Sequence, residues 1–291
     1  MTRIVAIAAA VAACGAQSLD APRPIAAGTS PWTEELTWME VRDAVKAGKT
    51  TIIIATGGVE QNGPYVVGGK HNYVLQTVAP YISGRLGNAL IAPIVRFVPE
   101  GAIDPEPTGH MRYPGTISLE QSTLEALLTD ICRSYRAHGF RDLVLIGDSG
   151  GNQRGMEKVA NALNQKWRGE ATRVHYLREY YFEDRWSYDF LKARGIVQID
   201  RTPPAGQARD RPADTRNGMH DDVYYEAQVA VQDPRLIRAD QRTNAGLFSL
   251  HGVDLAPVGK TVELGKALAE YRAEIVARAF RSSVQKLRGQ R

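Results

Sequence analysis

The sequence predicts an α/β fold of three layers, a mostly parallel central sheet with helices on both faces. Apolar runs of strand length, TTIIIATGG, ALIAPIVRF, DLVLI and TRVHYL, alternate with stretches of helical periodicity. That alternation packs as parallel strands joined by crossover helices. Two of the runs end in glycine-rich polar clusters, GGVEQNG and GDSGGN, and sheets of this kind carry their chemistry beyond the carboxyl ends of the strands. With 291 residues, 43% of them hydrophobic, the chain is long enough for one large domain with a proper core.

The elements follow in order. MTRIVAIAAAVAACGAQ has one early Arg and an apolar stretch from Ile4 to Ala13, too short to span a bilayer but suited to an export signal over 1–14. VAAC, ending at Cys14, resembles a bacterial lipobox, so the product is expected in the periplasm or lipid-anchored to the envelope, the membrane being touched only through that anchor. Residues 15–33, rich in Ala, Pro and Ser, read as a flexible tether, and 34–291 as the folded domain. Thr37-x-x-Glu40 is a capping box that starts a helix closed by Gly48. After the first strand, YVLQTVAPYISGRLG is helical, with Pro80 bending or dividing it. The strand ALIAPIVRF leads into VPEGAIDPEPTGHMRYPGTIS, a loop long enough to be a lid or pocket wall. Ser118-x-x-Gln121 caps a helix that runs to Gly139. DLVLI, the GDSGGN loop, a helix over 152–167 and TRVHYL follow, then a Pro-rich loop, the helical HDDVYYEAQVAV and a long amphipathic C-terminal helix.

Lys and Arg number 36 against 32 Asp and Glu, and they are scattered, which gives nucleic-acid binding no support. Of the two cysteines, Cys132 lies on an apolar helical face and reads as core.

Gly-Asp-Ser-Gly-Gly around Ser149 admits several readings. The string surrounds the nucleophile of trypsin-like proteases, but that fold is all-β. It also satisfies G-x-S-x-G after a strand and before a helix, with Asp222, His220, Asp254 and His251 available downstream as acid and base. A serine hydrolase acting through Ser149 is therefore one alternative. The other chemistry starts at GGVEQNGPYVVGGKHNY. Glu60 after a strand and His71 at a helix start, with Asp148 or Ser149 and His220, form a mixed N/O set of the kind that zinc, iron or manganese accepts. A metal held there would acidify water for attack on an amide.

The order of these blocks resembles the creatininase (creatinine amidohydrolase) family over nearly the whole folded part. GGVEQNG is similar to its G-x-x-E-Q-H-G motif, YPGT at 113–116 to F-P-G-T with His110 upstream, GDSGGN to N-G-H-G-G-N, and HDDVYYEAQVAVQDP to the later H-x-G-x-x-E-T-S helix. The resemblance implies a creatininase-like fold, hydrolysis of cyclic or linear amides at a two-metal centre, and a homo-oligomer, a hexamer in the family. It also marks departures: Asn62 and Ser149 stand where the family has His ligands, His71 where it has the bridging Asp, Gly151 where creatininase has an acid, and Tyr225 where the later helix has Glu. These substitutions predict one rewired metal site made of Glu60, His71 and Asp148, with His220 or Asp222 available as a further ligand. His220, with Ser149 and Asp222, would serve catalysis, His220 protonating the leaving nitrogen. Asn62, His110, Tyr113, Asn152 and Tyr225 would contact a small amide-type substrate. A binding protein of the same fold without catalysis is the remaining alternative.

Overall fold

The computed structural model describes residues 18–182, 185–198 and 220–289. The expected export signal, and most of the Pro-rich loop before His220, lie outside the described residues. Four strands, β1 (Thr51–Thr56), β2 (Ala89–Ile91), β3 (Asp142–Gly147) and β4 (Arg173–Tyr176), form one parallel sheet in the order β2-β1-β3-β4. β1 and β3 run side by side in register from Thr51↔Asp142 to Thr56↔Gly147, and both are buried along their whole length. Alternate side chains feed two cores, which is why the strands are apolar without a break. Ile53, Ala55, Val144 and Ile146 pack towards α2 (Lys70–Leu86), α7 (Val223–Gln232) and α9 (Val258–Arg288). Ile52, Ile54, Leu143 and Leu145 pack towards α1 (Trp38–Lys46), α3 (Gln121–Ala137) and α4 (Gln153–Lys166). The three layers are those the sequence predicts.

Several boundaries differ for identifiable reasons. β2 stops at Ile91 because Pro93 has no N–H for the ladder, and only an isolated bridge from Val95 to Thr56 continues it. α2 is one helix across Pro80, held between α7 and α9. The capping box of α1 forms as expected. Ser118 does not cap α3; its hydroxyl instead accepts from Glu100 N at 2.9 Å and donates to Gly101 O at 2.7 Å, pinning the long loop. The segment expected as a free tether is tied down from Leu19 onward. Arg42 donates to the carbonyls of Leu19 and Ala21, Arg23 pairs with Asp43, and Pro31 accepts from Ile91 N on the sheet edge. Short helices α5 (Glu179–Phe182), α6 (Trp186–Lys192) and α8 (Ala239–Asn244), and a hairpin of β5 (Ser249–Leu250) and β6 (Val253–Asp254), complete the described chain. Among the described residues no helix is long and apolar enough to cross a membrane.

Candidate active site

The carboxyl ends of β1 and β3 lie together, and the loops leaving them are locked to one another. Asn152 donates its amide to the carbonyls of Thr56 and Gly57, and a Cβ at Gly147 would fall 2.6 Å from Asn152 Oδ1, so that position takes only glycine. Onto this platform the loop after β1 brings Glu60, the first turn of α2 brings Lys70 and His71, and β3 delivers Asp148 and Ser149. The long loop after β2 adds Glu100 and, from a short 3-10 turn over Gly109–Arg112, His110. His220 enters from the segment ahead of α7.

Glu60 is the hub. Its Oε1 lies 2.8 Å from His71 Nε2, 3.2 Å from His220 Nε2 and 3.6 Å from Lys70 Nζ, and its Oε2 lies 3.3 Å from His110 Nε2. Burial would favour the neutral acid, but the charge of His71 and hydrogen bonds from His220 and His71 outweigh it and hold the carboxyl well below the usual range. His71 gives its other nitrogen to Asp148 Oδ2 at 2.7 Å. Burial opposes a charge on this ring, yet the carboxylates of Glu60 and Asp148 carry it up to about 9. Asp148 Oδ1 is closed off by Tyr180 OH and by Arg272 Nη1, each at 3.0 Å. Lys70, fully buried, donates to His220 O at 2.8 Å and sits 4.3 Å above the Tyr225 ring. Glu100 accepts from Ser149 Oγ at 3.0 Å; burial and then the neighbouring charge of Glu60 push it to about 8. Both remaining imidazoles are held neutral: burial lowers His110, and the charge of Lys70 followed by burial takes His220 to about 4.

Glu60, His71 and Asp148 are thus brought together as the sequence predicts, but as a carboxylate–imidazolium–carboxylate chain in which neither nitrogen of His71 is left for a metal. Among the described residues, the donor atoms that do converge belong to Glu60, His110 and His220, all within 4.8 Å of one another. His110 was expected to touch substrate and His220 to give a proton; a neutral imidazole held near 4 has none to give at neutral pH. Ser149 is buried and donates to Glu100, and no described imidazole hydrogen-bonds to it. Asn62 spends its amide on the carbonyls of Glu60 and Val67, and Asn152 spends its own on β1, so both build the platform. Asp222 is buried where α7 begins, and its charge acts on Tyr224. Tyr225 lines the cluster edge-on to His71, with ring centroids 5.6 Å apart, and Tyr113 stands 41% exposed on the long loop.

Three groups escaped the sequence reading. Lys70 and Glu100 carry no signal of burial in a single sequence. Arg272 does, because it falls between Leu268, Ala269, Ala273 and Val276 on the buried stripe of α9, and a lone cation on an apolar stripe calls for a buried anion.

With the geometry in view, the relatives are informative. The sequence profile of the creatininase (creatinine amidohydrolase) family matches residues 34–279. The chain belongs to the creatininase family. A creatinine amidohydrolase of Pseudomonas putida is 31% identical over 117 residues, which cover 40% of this chain and 44% of that protein, so the match spans less than half of either. A crystal structure of creatinine amidohydrolase superposes with a TM-score of 0.58 at 21% identity, covering 89% of this chain and 98% of that one. A manganese form of creatininase gives 0.57 at 20% identity, over 88% and 98%. A mutant described as a zinc–zinc type gives 0.55 at 20%, over 89% and 98%. At these identities the structural likeness establishes the creatininase fold.

Proposed function

We propose that this creatininase-family chain hydrolyses a C–N bond of a small amide or cyclic amide, using one divalent metal held by Glu60, His110 and His220. The observation that carries the reading is the convergence of these three donors at the carboxyl edge of the sheet. The set suits such an ion. One carboxylate and two imidazoles, both kept neutral with lone pairs to share, are the ligands of a three-point catalytic site that leaves a position open. Zinc, manganese and iron all accept them.

A bound ion would polarise the scissile carbonyl and acidify water. The chain's own groups do the rest. His71 and Lys70 hold Glu60 ionised and fixed in orientation, as outer partners of a ligand do. The loop over 99–116, pinned by Ser118, forms a wall of the site and carries both Glu100 and His110. Glu100, close to 8, is the carboxyl that keeps a proton at neutral pH, and we assign it, in place of His220, the protonation of the leaving nitrogen. The creatinine amidohydrolases among the relatives support an amide-type substrate.

Elemental analysis of protein purified without chelator tests the reading, with His110→Ala and His220→Ala beside the wild type. About one equivalent in the wild type, lost in both variants, together with chelator-sensitive turnover of a panel of linear and cyclic amides, is the expected result. No metal after reconstitution, or metal retained in both variants, would refute it. The same proposal includes export, for which the pattern over 1–14 is the support, and self-association; the N-terminal mass and the sedimentation of protein recovered from the producing cells test these.

A further inference from the structure

We propose that the ammonium of Lys70 and the imidazolium of His71 are this site's built-in replacement for a second metal ion, so that the chain binds a single divalent cation. The inference rests on the metal reading above and adds the count and its cause.

The inner half of the cluster, on the sheet side of Glu60, is rich in carboxylates that would attract a cation. Glu60, Glu100 and Asp148 all lie there, each 6% exposed or less. Their charge is already met. Lys70 is fully buried with Nζ 3.6 Å from Glu60 Oε1. His71 stands between two carboxylate oxygens, at 2.8 and 2.7 Å, and acceptors on both sides require a proton on both nitrogens. Arg272, also buried, closes the far side of Asp148. Three cations therefore face these three carboxyl groups, and even with Glu100 ionised their charges sum to no less than zero. A divalent ion placed there would have no net charge to compensate, and a buried uncompensated charge is strongly disfavoured.

The lone pairs of Asp148 are spent as well. Asp148 Oδ2 accepts from His71, and its Oδ1 accepts from Tyr180 and faces Arg272. Lys70 is itself fixed from three directions, by Glu60, by the carbonyl of His220 and by the face of Tyr225. A side chain so held is a structural cation rather than a surface lysine folded inward. The outer half differs, because there Glu60 meets the imidazoles of His110 and His220, and that is where an added positive charge has ligands to receive it. The functional consequence is that chelation can strip only one cation from this site; Lys70, His71 and Arg272 are covalently part of the chain.

The experiment counts zinc per chain by elemental analysis after saturation and gel filtration, on the full-length wild type, on Lys70→Met/His71→Asp, and on Lys70→Arg. The expected result is about one equivalent in the wild type and in Lys70→Arg, and about two in the double variant. Should the double variant fail to fold, as judged by circular dichroism, Lys70→Met alone is titrated calorimetrically, and a second zinc event at least tenfold tighter than any in the wild type is expected. Two equivalents in the wild type overturn the inference. One equivalent throughout overturns it while leaving the single-metal reading intact. None in any protein removes both.

Discussion

The two ends of β3 carry nearly the same residues and do different things with them. At the carboxyl end Asp148 holds His71; at the amino end Asp142 holds His175, with Oδ1 and Nε2 3.0 Å apart. The amino end even has the outline of a catalytic triad, because His175 Nδ1 lies 2.9 Å from Ser283 Oγ. Yet Arg288 grips both oxygens of Asp142, at 2.7 and 2.8 Å, His175 is fully buried edge-on to Phe280, and the serine stands within α9. That end is a strut which fastens the last helix to the sheet. At the carboxyl end the imidazole leads on to Glu60, and beyond Glu60 to His110 and a His220 side chain that is 43% exposed. A carboxylate–imidazole pair becomes a site when its chain of contacts runs outward to groups that still have lone pairs, and a brace when both ends close on the protein.

The comparison can be broken most forcefully at Arg272. Arg272→Met leaves Asp148 buried with one cation fewer and should cost about 3–5 kcal/mol, read as a lower denaturation midpoint. A loss below about 1 kcal/mol would mean that the carboxyl end is not held by charge. The next effect is pH dependence in metal-free protein, where the two ends differ in sign. His71, raised to about 9, contributes stability that is complete below its ordinary value of 6.5 and lost as pH rises through 9. At Asp142, burial raises the carboxyl, but His175 and then Arg288 outweigh it and hold it low, so its contribution is present above the ordinary 3.8 and lost on acidification. Thermal midpoints across pH should show His71→Gln flattening the alkaline limb alone and Asp142→Asn part of the acid limb. Exchange of those assignments would contradict the account. The smallest effect is a null one: a fluorophosphonate probe should label neither Ser149, which donates to Glu100, nor Ser283. Labelling of either, found by peptide mass spectrometry, would make that end a serine site.

The sequence was a good guide to the platform and a poor one to the charges. Strand runs, the glycine clusters and the meeting of Glu60, His71 and Asp148 were legible, because parallel topology and strand polarity place those loops side by side. The approach of His110 to Glu60 was not, since it depends on a 3-10 turn more than ten residues into a loop with no periodicity. Lys70 looks like any helix-opening lysine until α7 and its tyrosines cover it. Ser118 shows how a local motif yields to tertiary demand: the hydroxyl suited to a helix cap serves the loop that carries Glu100.

α9 touches both ends of β3. Arg272 and Arg288, sixteen residues apart and thus about 24 Å along the helix, reach Asp148 and Asp142 respectively. This helix is also the last element of the described chain to be synthesised. While a nascent chain still lacks it, Asp148 has no guanidinium and Asp142 no grip, so neither acid can be enclosed at its native cost. Both ends of the sheet therefore mature together, and only once α9 has been made.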